Sequence, residues 1–555
     1  MNLEKTKKKE NWGTQIGVIL AVAGCAIGLG NFLRFPGQAA LYGGGAFLIP
    51  YFFAFLILAI PLSWAEWSLG RYGGRHGFNS VPGIYRVAGK RRAWAYIGAM
   101  GVFVPLVISM YYVYIQAWCL AYALQYLTGI LGSCGLQNLS LFGETSSGMH
   151  LGSSEAYAQF FASFVGMNED AYIFKSGIFT PLLICVAGCF FLNYYLIYRG
   201  IAKGIEVFCK LAMPLLLICS VIILIRVVTL GNPTGIPGQS FLNGLAFMWN
   251  PSRPDATIGE TLSNPEAWLA ATSQIFFSVS LGFGLIVTYA SYVRDKDDIA
   301  LSSLTAVSGN EFCEVVLGGM MIIPPAVMFL GLSGLTPETL QSSFAMGFIA
   351  LPNVFEQMPA GQIFGFLFFF LLFLAAVTSA ISMSQPAVAL LEEGLEFSRK
   401  QSVLLVAGIC ALGTFLVCYF SANATVLDTF DFWIGNMSLF VLSLCQTILI
   451  GWFWGEEKMM KELDRGSAIR VPRWIGWFLK YISTPYLILI LILWCWYNMG
   501  SRVQMIYQNG IVLMAILFLL VGFSFFMLVT YLAEKRWIRA EKQYRRQIYT
   551  NRQGR

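Results

Sequence analysis

Ala23-Gly24-Cys25-Ala26-Ile27-Gly28-Leu29-Gly30-Asn31, followed closely by Arg34-Phe35-Pro36, lies inside an apolar run at 13–41 that is long enough to cross a bilayer. Three glycines, a thiol and an amide cluster near its middle, and each glycine weakens a helix by roughly 1 kcal/mol relative to alanine. In hydrocarbon, backbone groups without helical partners are tolerated only where protein or a wet cavity surrounds them. A run that invites breakage at mid-membrane therefore points to a binding site. Taken alone, it fits close helix packing by small residues equally well. A second run, at 265–293, breaks the tie. Its Phe276-Phe277-Ser278-Val279-Ser280-Leu281-Gly282-Phe283-Gly284 carries the same Gly-x-Gly pair with hydroxyls ahead of it. Two interrupted apolar segments at matching places in two halves of a chain mark a secondary transporter built from an inverted repeat.

The composition points the same way. Of 555 residues, 57% are hydrophobic and 12% charged, and mean hydropathy is +0.66, which excludes a soluble globular domain. Apolar runs recur near 13–41, 45–70, 94–128, 178–198, 205–230, 265–293, 300–331, 362–392, 402–420, 427–454, 475–498 and 508–533, about twelve spans. The third and eighth exceed an upright crossing, which implies tilt or extension into water. The net charge of +7 is unevenly placed. Basic residues gather at Lys5 to Lys9, Arg71 to Arg92, Arg199 and Lys203, Arg399 and Lys400, Lys458 to Arg473 and Lys535 to Arg546, while the alternate loops hold little beyond Lys175, Arg253 and Arg502. The positive-inside rule then puts both termini in the cytoplasm and requires an even number of spans. This pattern is a membrane signature and implies no nucleic-acid partner. The expected location is the inner (plasma) membrane of a bacterial-type cell, with the chain multi-pass in the lipid bilayer. The first run is too long for a signal-peptide core and is read as a retained span. Most of the twelve cysteines fall in apolar runs, Cys134 being the clear exception, so no outer disulfide framework is expected. His76 and His150 lack metal-ligand spacing.

The expected fold is an all-α polytopic membrane protein of twelve transmembrane helices. Residues 1–12 form an N-terminal tail. Residues 13–455 form the transporter core, a 5+5 inverted repeat (13–230 and 265–455) whose first and sixth helices are broken. Residues 456–540 are two accessory helices, and 541–555 a cytoplasmic tail. The segments at 129–177 and 332–361 are candidates to cover the outer face.

A charged side chain at bilayer depth costs at least about 2.5 kcal/mol on insertion scales, so it finds a partner or lines a cavity. Arg34, Glu66, Glu311, Glu314, Glu393 and Asp431 are the candidates. Glu66 reads best as a structural charge bonded to free backbone at a broken helix. Arg34 and Asp431 are suited to an ion pair across an outer entrance. The Thr378-Ser379 hydroxyls either bond back to the preceding turn or complete a shell of neutral oxygens around a monovalent cation.

Gly28 to Pro36, Gly43-Gly44-Gly45-Ala46-Phe47, Ser280 to Gly284 and Tyr289-Ala290-Ser291-Tyr292 together resemble the neurotransmitter:sodium symporter family, its bacterial leucine-transporter branch above all. The resemblance runs from about Trp12 to Trp537. It implies a leucine-transporter-like fold and two Na+ ions. Sodium 1 would take the Ala26 carbonyl, the side chains of Asn31, Ser278 and Asn310, and the substrate's carboxylate. Sodium 2 would take the carbonyls of Gly24, Ile27 and Ala375 with the hydroxyls of Thr378 and Ser379. The substrate carboxylate would meet the N–H groups of Leu29 and Gly30 and the Tyr112 hydroxyl, and its amine the carbonyls of Ala26, Phe277 and Ser278. Cys25, Ile108, Tyr112, Phe277, Ser280, Phe283, Ser379 and Met383 would complete the pocket. Arg34, Tyr112, Phe277 and Asp431 would form the outer gate, and Lys9, Trp12, Ser291, Tyr292 and Glu393 the inner gate.

Glu314, near Tyr51, Gln274, Ser278 and Asn310, would supply the negative charge that chloride supplies in animal members, which have Ser there. No chloride requirement is expected, and the same carboxylate leaves proton counter-transport open. Gly28 stands where the monoamine branch has Asp, so the substrate should carry its own carboxylate. The chain departs from the branch at Cys25, at Ile108 and Met383, at Ser278 (a Thr in the bacterial relative), and at the inner gate, where Lys9 and Glu393 replace an Arg–Asp pair. Lysine cannot make the bidentate arginine contact, and Lys8 is an alternative partner. The expected function is sodium-coupled import of neutral, mainly hydrophobic α-amino acids by alternating access, with a homodimer left open. The competing readings are a betaine or γ-amino acid substrate and, outside transport, an ion channel. No nucleophile–base arrangement suggests an enzyme.

Overall fold

The computed structural model describes residues 11–133, 151–168, 181–252, 258–334 and 344–553. Helix dominates, and no β-strand occurs among the described residues. The helices that build the membrane spans are α1 (Gln15–Ala26), α2 (Gly30–Leu41), α3 (Gly44–Arg75), α4 (Ala93–Ser133), α5 (Pro181–Tyr198), α6 (Ile201–Thr229), α7 (Pro265–Val279), α8 (Leu285–Ala290), α9 (Ile299–Leu332), α10 (Gly361–Gly394), α11 (Arg399–Tyr419), α12 (Ala422–Leu463), α13 (Trp474–Gln508) and α14 (Gly510–Glu541).

Among the described residues, ten of these are each long and apolar enough to cross a membrane, and α1 with α2, bent by 44°, make an eleventh. The twelfth expected span is divided: α7 and α8 have 15 and 6 residues, so neither crosses alone. The two divided segments are those whose glycines announced them. α4 has 41 residues, about 60 Å of helix and twice the hydrocarbon thickness. This agrees with the over-long third run.

Local chemistry sets the breaks. Thr14 caps α1 through the Gly17 N–H, and Ile27, at φ −73° and ψ 89°, takes the chain out of the helix. Asn264 caps α7 and Pro265 opens it, where a missing N–H costs nothing. α7 ends at Ser280 (φ 57°), and Gly282 and Gly284 follow at φ 76° and 77°. These are left-handed conformations that glycine adopts without a Cβ penalty.

α10 packs against α4, α6 and α1 at the centre, while α13 and α14 lie outside this group against α7, α12, α4 and α10. The outward faces are apolar, with Phe191 72% and Trp496 83% exposed, as befits helices solvated by lipid. The interior holds the polar side chains instead.

Candidate functional site

Backbone freed at the first break finds side chains in place of the preceding turn. The Gly28 N–H donates to Asn31 Oδ1 at 2.9 Å, and the Leu29 N–H to the Tyr112 hydroxyl at 3.1 Å. A Cβ on Gly28 would stand 2.8 Å from Ser379 Oγ and 2.9 Å from the Tyr112 hydroxyl, and one on Gly30 would stand 3.0 Å from the Phe277 ring. Thus the head of α2, Tyr112 of α4, Phe277 of α7 and Ser379 of α10 converge on one point.

Beside it lies a buried polar cluster. Asn31 Nδ2 donates to Asn310 Oδ1 at 2.9 Å and to Glu314 Oε2 at 3.3 Å. Asn310 Nδ2 donates to Ser278 Oγ at 2.7 Å. Gln274 Nε2 donates to Glu314 Oε1 at 2.6 Å and to the Gly30 carbonyl at 3.3 Å, and the Ser278 hydroxyl donates to Glu314. None of these five side chains is more than 1% exposed. The expected sodium 1 residues and the expected charge donor therefore share one cluster, with Ala26 buried at the end of α1. The donor set fits a hard monovalent cation: carbonyl and hydroxyl oxygens keep a second lone pair after one hydrogen bond. Tyr51 lies beside Glu314 as expected. Its hydroxyl donates to Glu311 at 2.9 Å, a second carboxylate one helical turn before Glu314.

A second group forms where α1 meets α10. Ser379 Oγ donates to the carbonyls of Gly24 and Cys25 at 3.4 and 3.2 Å. Thr378 Oγ1 donates to the Ala375 carbonyl at 3.0 Å, the back-bonded arrangement, and its Cβ lies 3.2 Å from the Cβ position of Gly24. Gly24, Ala375, Thr378 and Ser379 are thus gathered, with Ile27 buried at the break. The hydroxyl oxygens keep lone pairs that fit the same kind of cation.

Above the convergence point, a cavity of about 420 Å3 is lined by Leu29, Gly30, Tyr112, Phe277, Arg34 and Asp431, with Met167 and Phe344 from the two covering segments. Pro337 and most of 129–177 lie outside the described residues. Phe277 is half-buried and marks the floor. Cys25, Ile108, Ser280, Phe283, Ser379 and Met383 are buried and do not line this cavity. Ser280 Oγ donates to the Cys25 carbonyl at 3.1 Å, and the Phe277 and Phe283 rings meet edge to face at 6.4 Å.

The expected outer gate is corrected in one contact. Arg34 and Asp431 share the cavity but make no direct ion pair. Arg34 Nη2 donates to Ser273 Oγ at 2.9 Å and to Asn436 Oδ1 at 3.4 Å; Asn436 Nδ2 donates to Asp431 Oδ2 at 3.0 Å, and the Tyr111 hydroxyl to Asp431 Oδ1 at 2.8 Å. Residues Asp431–Ser438 form a π-helix, whose wider turn brings the side chain five residues on back over Asp431. The guanidinium also lies 4.9 Å from the Phe277 centroid.

At the opposite end, Trp12 is buried: its Nε1 donates to the Tyr289 carbonyl at 3.0 Å and its N–H to the Tyr292 carbonyl at 3.4 Å. Ser291 and Tyr292 are buried with it, and Arg294 Nη2 reaches the Trp12 carbonyl at 3.1 Å. Lys9 lies outside the described residues. Glu393, its expected partner, accepts from the Asn79 N–H at 2.6 Å, the Ser80 N–H at 2.8 Å and the Ser80 hydroxyl at 2.9 Å. Unpaired backbone donors ahead of the short helix Val81–Gly89 hold this carboxylate. Tyr111, Ser273, Asn436 and Arg294 carried no sequence signal of their own.

Glu66 behaves as read. Its Oε1 accepts from the Gly282 N–H and from Gln446 Nε2, both at 2.7 Å.

A family model described as the sodium:neurotransmitter symporter family matches residues 9–539. An uncharacterized sodium-dependent transporter of Methanocaldococcus jannaschii is 29% identical over 86% of this chain and 87% of its own. The sodium-dependent transporter YhdH of Bacillus subtilis is 29% identical over 88% of this chain and 98% of its own, and the sodium- and chloride-dependent GABA transporter 2 of Rattus norvegicus is 25% identical over 83% and 75%. Among solved structures, that of MhsT in complex with L-phenylalanine superimposes with a TM-score of 0.70 at 27% identity, covering 87% of this chain and 99% of that one.

Proposed function

The chain belongs to the sodium:neurotransmitter symporter family, and from that premise we propose that it imports neutral, mainly hydrophobic α-amino acids with sodium, by alternating access and without chloride. The convergence at Gly28 carries this reading. A substrate carboxylate placed there meets N–H groups at the head of α2, where the helix dipole and unpaired donors favour an anion, and the Tyr112 hydroxyl. The carbonyls of Ala26, Phe277 and Ser278 receive the amine. Gly28 offers no carboxylate of its own, so the substrate brings the charge that faces sodium 1. Ile108, Phe277, Phe283 and Met383 give the side chain an apolar setting. The L-phenylalanine held by MhsT supports this class. The relatives named for GABA transport support a γ-amino acid as the second reading, at lower identity.

Sodium 1 joins Ala26, Asn31, Ser278 and Asn310; sodium 2 joins Gly24, Ile27, Ala375, Thr378 and Ser379. Both lie at the ends of the first break. Ion occupancy biases which side opens to the extent that the two states differ in affinity. Glu314 stands in for chloride and carries a proton on the return step. Residues 13–230 and 265–455 act as the two halves. α13 and α14 are accessory and offer a surface for a homodimer. Both termini face the cytoplasm from the plasma membrane.

The test is uptake of labelled leucine into proteoliposomes. Uptake should follow an inward sodium gradient, be equal in chloride and gluconate, and resist competition by the decarboxylated amine. Uptake indifferent to sodium, or equal competition by the amine, overturns the reading.

A further inference from the structure

Away from the site, α5 and α11 enclose a groove of about 600 Å3 walled by Phe190, Phe191, Tyr194, Leu404 and Phe415. It faces outward at bilayer depth: Phe191 is 72% and Leu404 62% exposed. Ligands of drug size occupy cavities of about 300–1,000 Å3, and an acyl chain is narrower. Lipid tails are as apolar as the groove, so its walls alone give no preference for any lipid.

The preference comes from one end. Lys400 and Tyr198 close the groove there, and Arg199 and Lys203 follow Tyr198 in the chain. Arg399 clamps the two helix ends together: its Nη2 donates to the Ile197 carbonyl at 2.6 Å, and Glu392 pairs with it at 3.5 Å. Arg199, Lys203 and Lys400 are exposed and make no ion pair among the described residues; Arg199 reaches the Tyr195 hydroxyl at 3.1 Å and lies 5.9 Å from that ring's centroid.

We propose that this groove binds one anionic phospholipid of the cytoplasmic leaflet, with an acyl chain between α5 and α11 and its phosphate among Arg199, Lys203 and Lys400. Basic pockets between helices on that side suit such headgroups. A zwitterionic lipid offers the same phosphate but brings a fourth cation beside the three and no net charge to offset them. A second copy of the chain seated here by two-fold symmetry would bring the same cations against them. The groove also touches α10, the helix proposed above to hold sodium 2, since the Tyr194 hydroxyl lies 3.3 Å from Ser384 Oγ, five residues beyond Ser379.

The experiment is native mass spectrometry of the full chain, purified in detergent and offered equal amounts of phosphatidylglycerol and phosphatidylcholine with matched tails. One phosphatidylglycerol should be retained in preference. Arg199→Gln, Lys203→Gln and Lys400→Gln together should erase that preference, by about fivefold for each cation. All three side chains are exposed, so thermal unfolding should match the wild type. Ala411→Trp, on the groove wall, should reduce retention of both lipids. Unchanged preference in the triple variant overturns the proposal. So does a dimer that Ala411→Trp dissociates while lipid retention persists, because the groove would then hold a second copy.

Discussion

Gly28→Ala tests the convergence point most directly. The added methyl would stand 2.8 Å from Ser379 Oγ and 2.9 Å from the Tyr112 hydroxyl, closer than such atoms pack. Gly28 is not among the positive-φ residues, so alanine meets no backbone penalty and the effect is crowding alone. Ser379 can turn away only by leaving the Gly24 and Cys25 carbonyls. Tyr112 can pivot only by leaving the Leu29 N–H. A neutral hydrogen bond is worth about 0.5–1.5 kcal/mol, and a buried donor stranded without a partner costs about 1–3 kcal/mol. Losing one of each gives about 2–3 kcal/mol, or a roughly 30- to 150-fold weaker affinity. The assay is equilibrium binding of labelled leucine to the purified protein at saturating sodium, with thermal unfolding alongside. Gly37→Ala is the control, because nothing lies within 4 Å of its Cβ position. It should leave affinity unchanged and match or exceed wild-type stability, alanine being the better helix former by about 1 kcal/mol. If Gly28→Ala folds normally and binds leucine within about threefold of the wild type, the substrate does not sit where α2, α4, α7 and α10 meet.

Thr378→Val with Ser379→Ala removes two hydroxyl oxygens at nearly constant volume. The sodium concentration for half-maximal binding should rise about tenfold or more, and an unchanged sodium titration would leave Thr378 to back-bonding and Ser379 to its bonds with the Gly24 and Cys25 carbonyls. Glu314→Ser removes the carboxylate that gathers Ser278, Gln274 and Asn31. Transport should then become chloride-stimulated, and a variant that transports equally well in gluconate refutes the substitution of carboxylate for halide. Asn436→Ala removes the amide between Arg34 and Asp431. At about 1 kcal/mol for a net hydrogen bond, KM should rise roughly fivefold with little change in melting temperature; an unchanged KM makes the bridge incidental.

The breaks were legible because their cause is local. Glycine spacing weakens a helix wherever the chain later goes: α1 and α7 end, and α2 and α8 begin, within three residues of those glycines. Glu66 was legible for a related reason: a lone carboxylate in hydrocarbon needs donors, and a broken helix is where donors are. The family resemblance added Asn31, Ser278, Asn310 and Glu314 as a group, and the cluster unites them. The gates were harder to read. The amide between Arg34 and Asp431 depends on a π-helical turn that nothing in Asp431-Phe432-Trp433-Ile434-Gly435-Asn436 announces. Glu393 reads as a partner for Lys9, and nothing in its neighbourhood announces the two backbone N–H groups that reach it from more than 300 residues away. Polar contacts between distant residues leave no periodicity to detect, whereas interruptions of regular structure do.

The Glu66 contact also sets a condition on how the protein is made. Its carboxylate enters the bilayer on α3 long before its donors exist: Gly282 comes 216 residues later and Gln446 380 residues later. Until then the nascent chain carries a carboxyl group without its donors at membrane depth, and the second break, once inserted, relies on that group to accept its backbone N–H. Chains that stop before residue 446 should therefore be held by insertion chaperones or degraded, because in such a fragment α3 and the second break lack the third member of their bond.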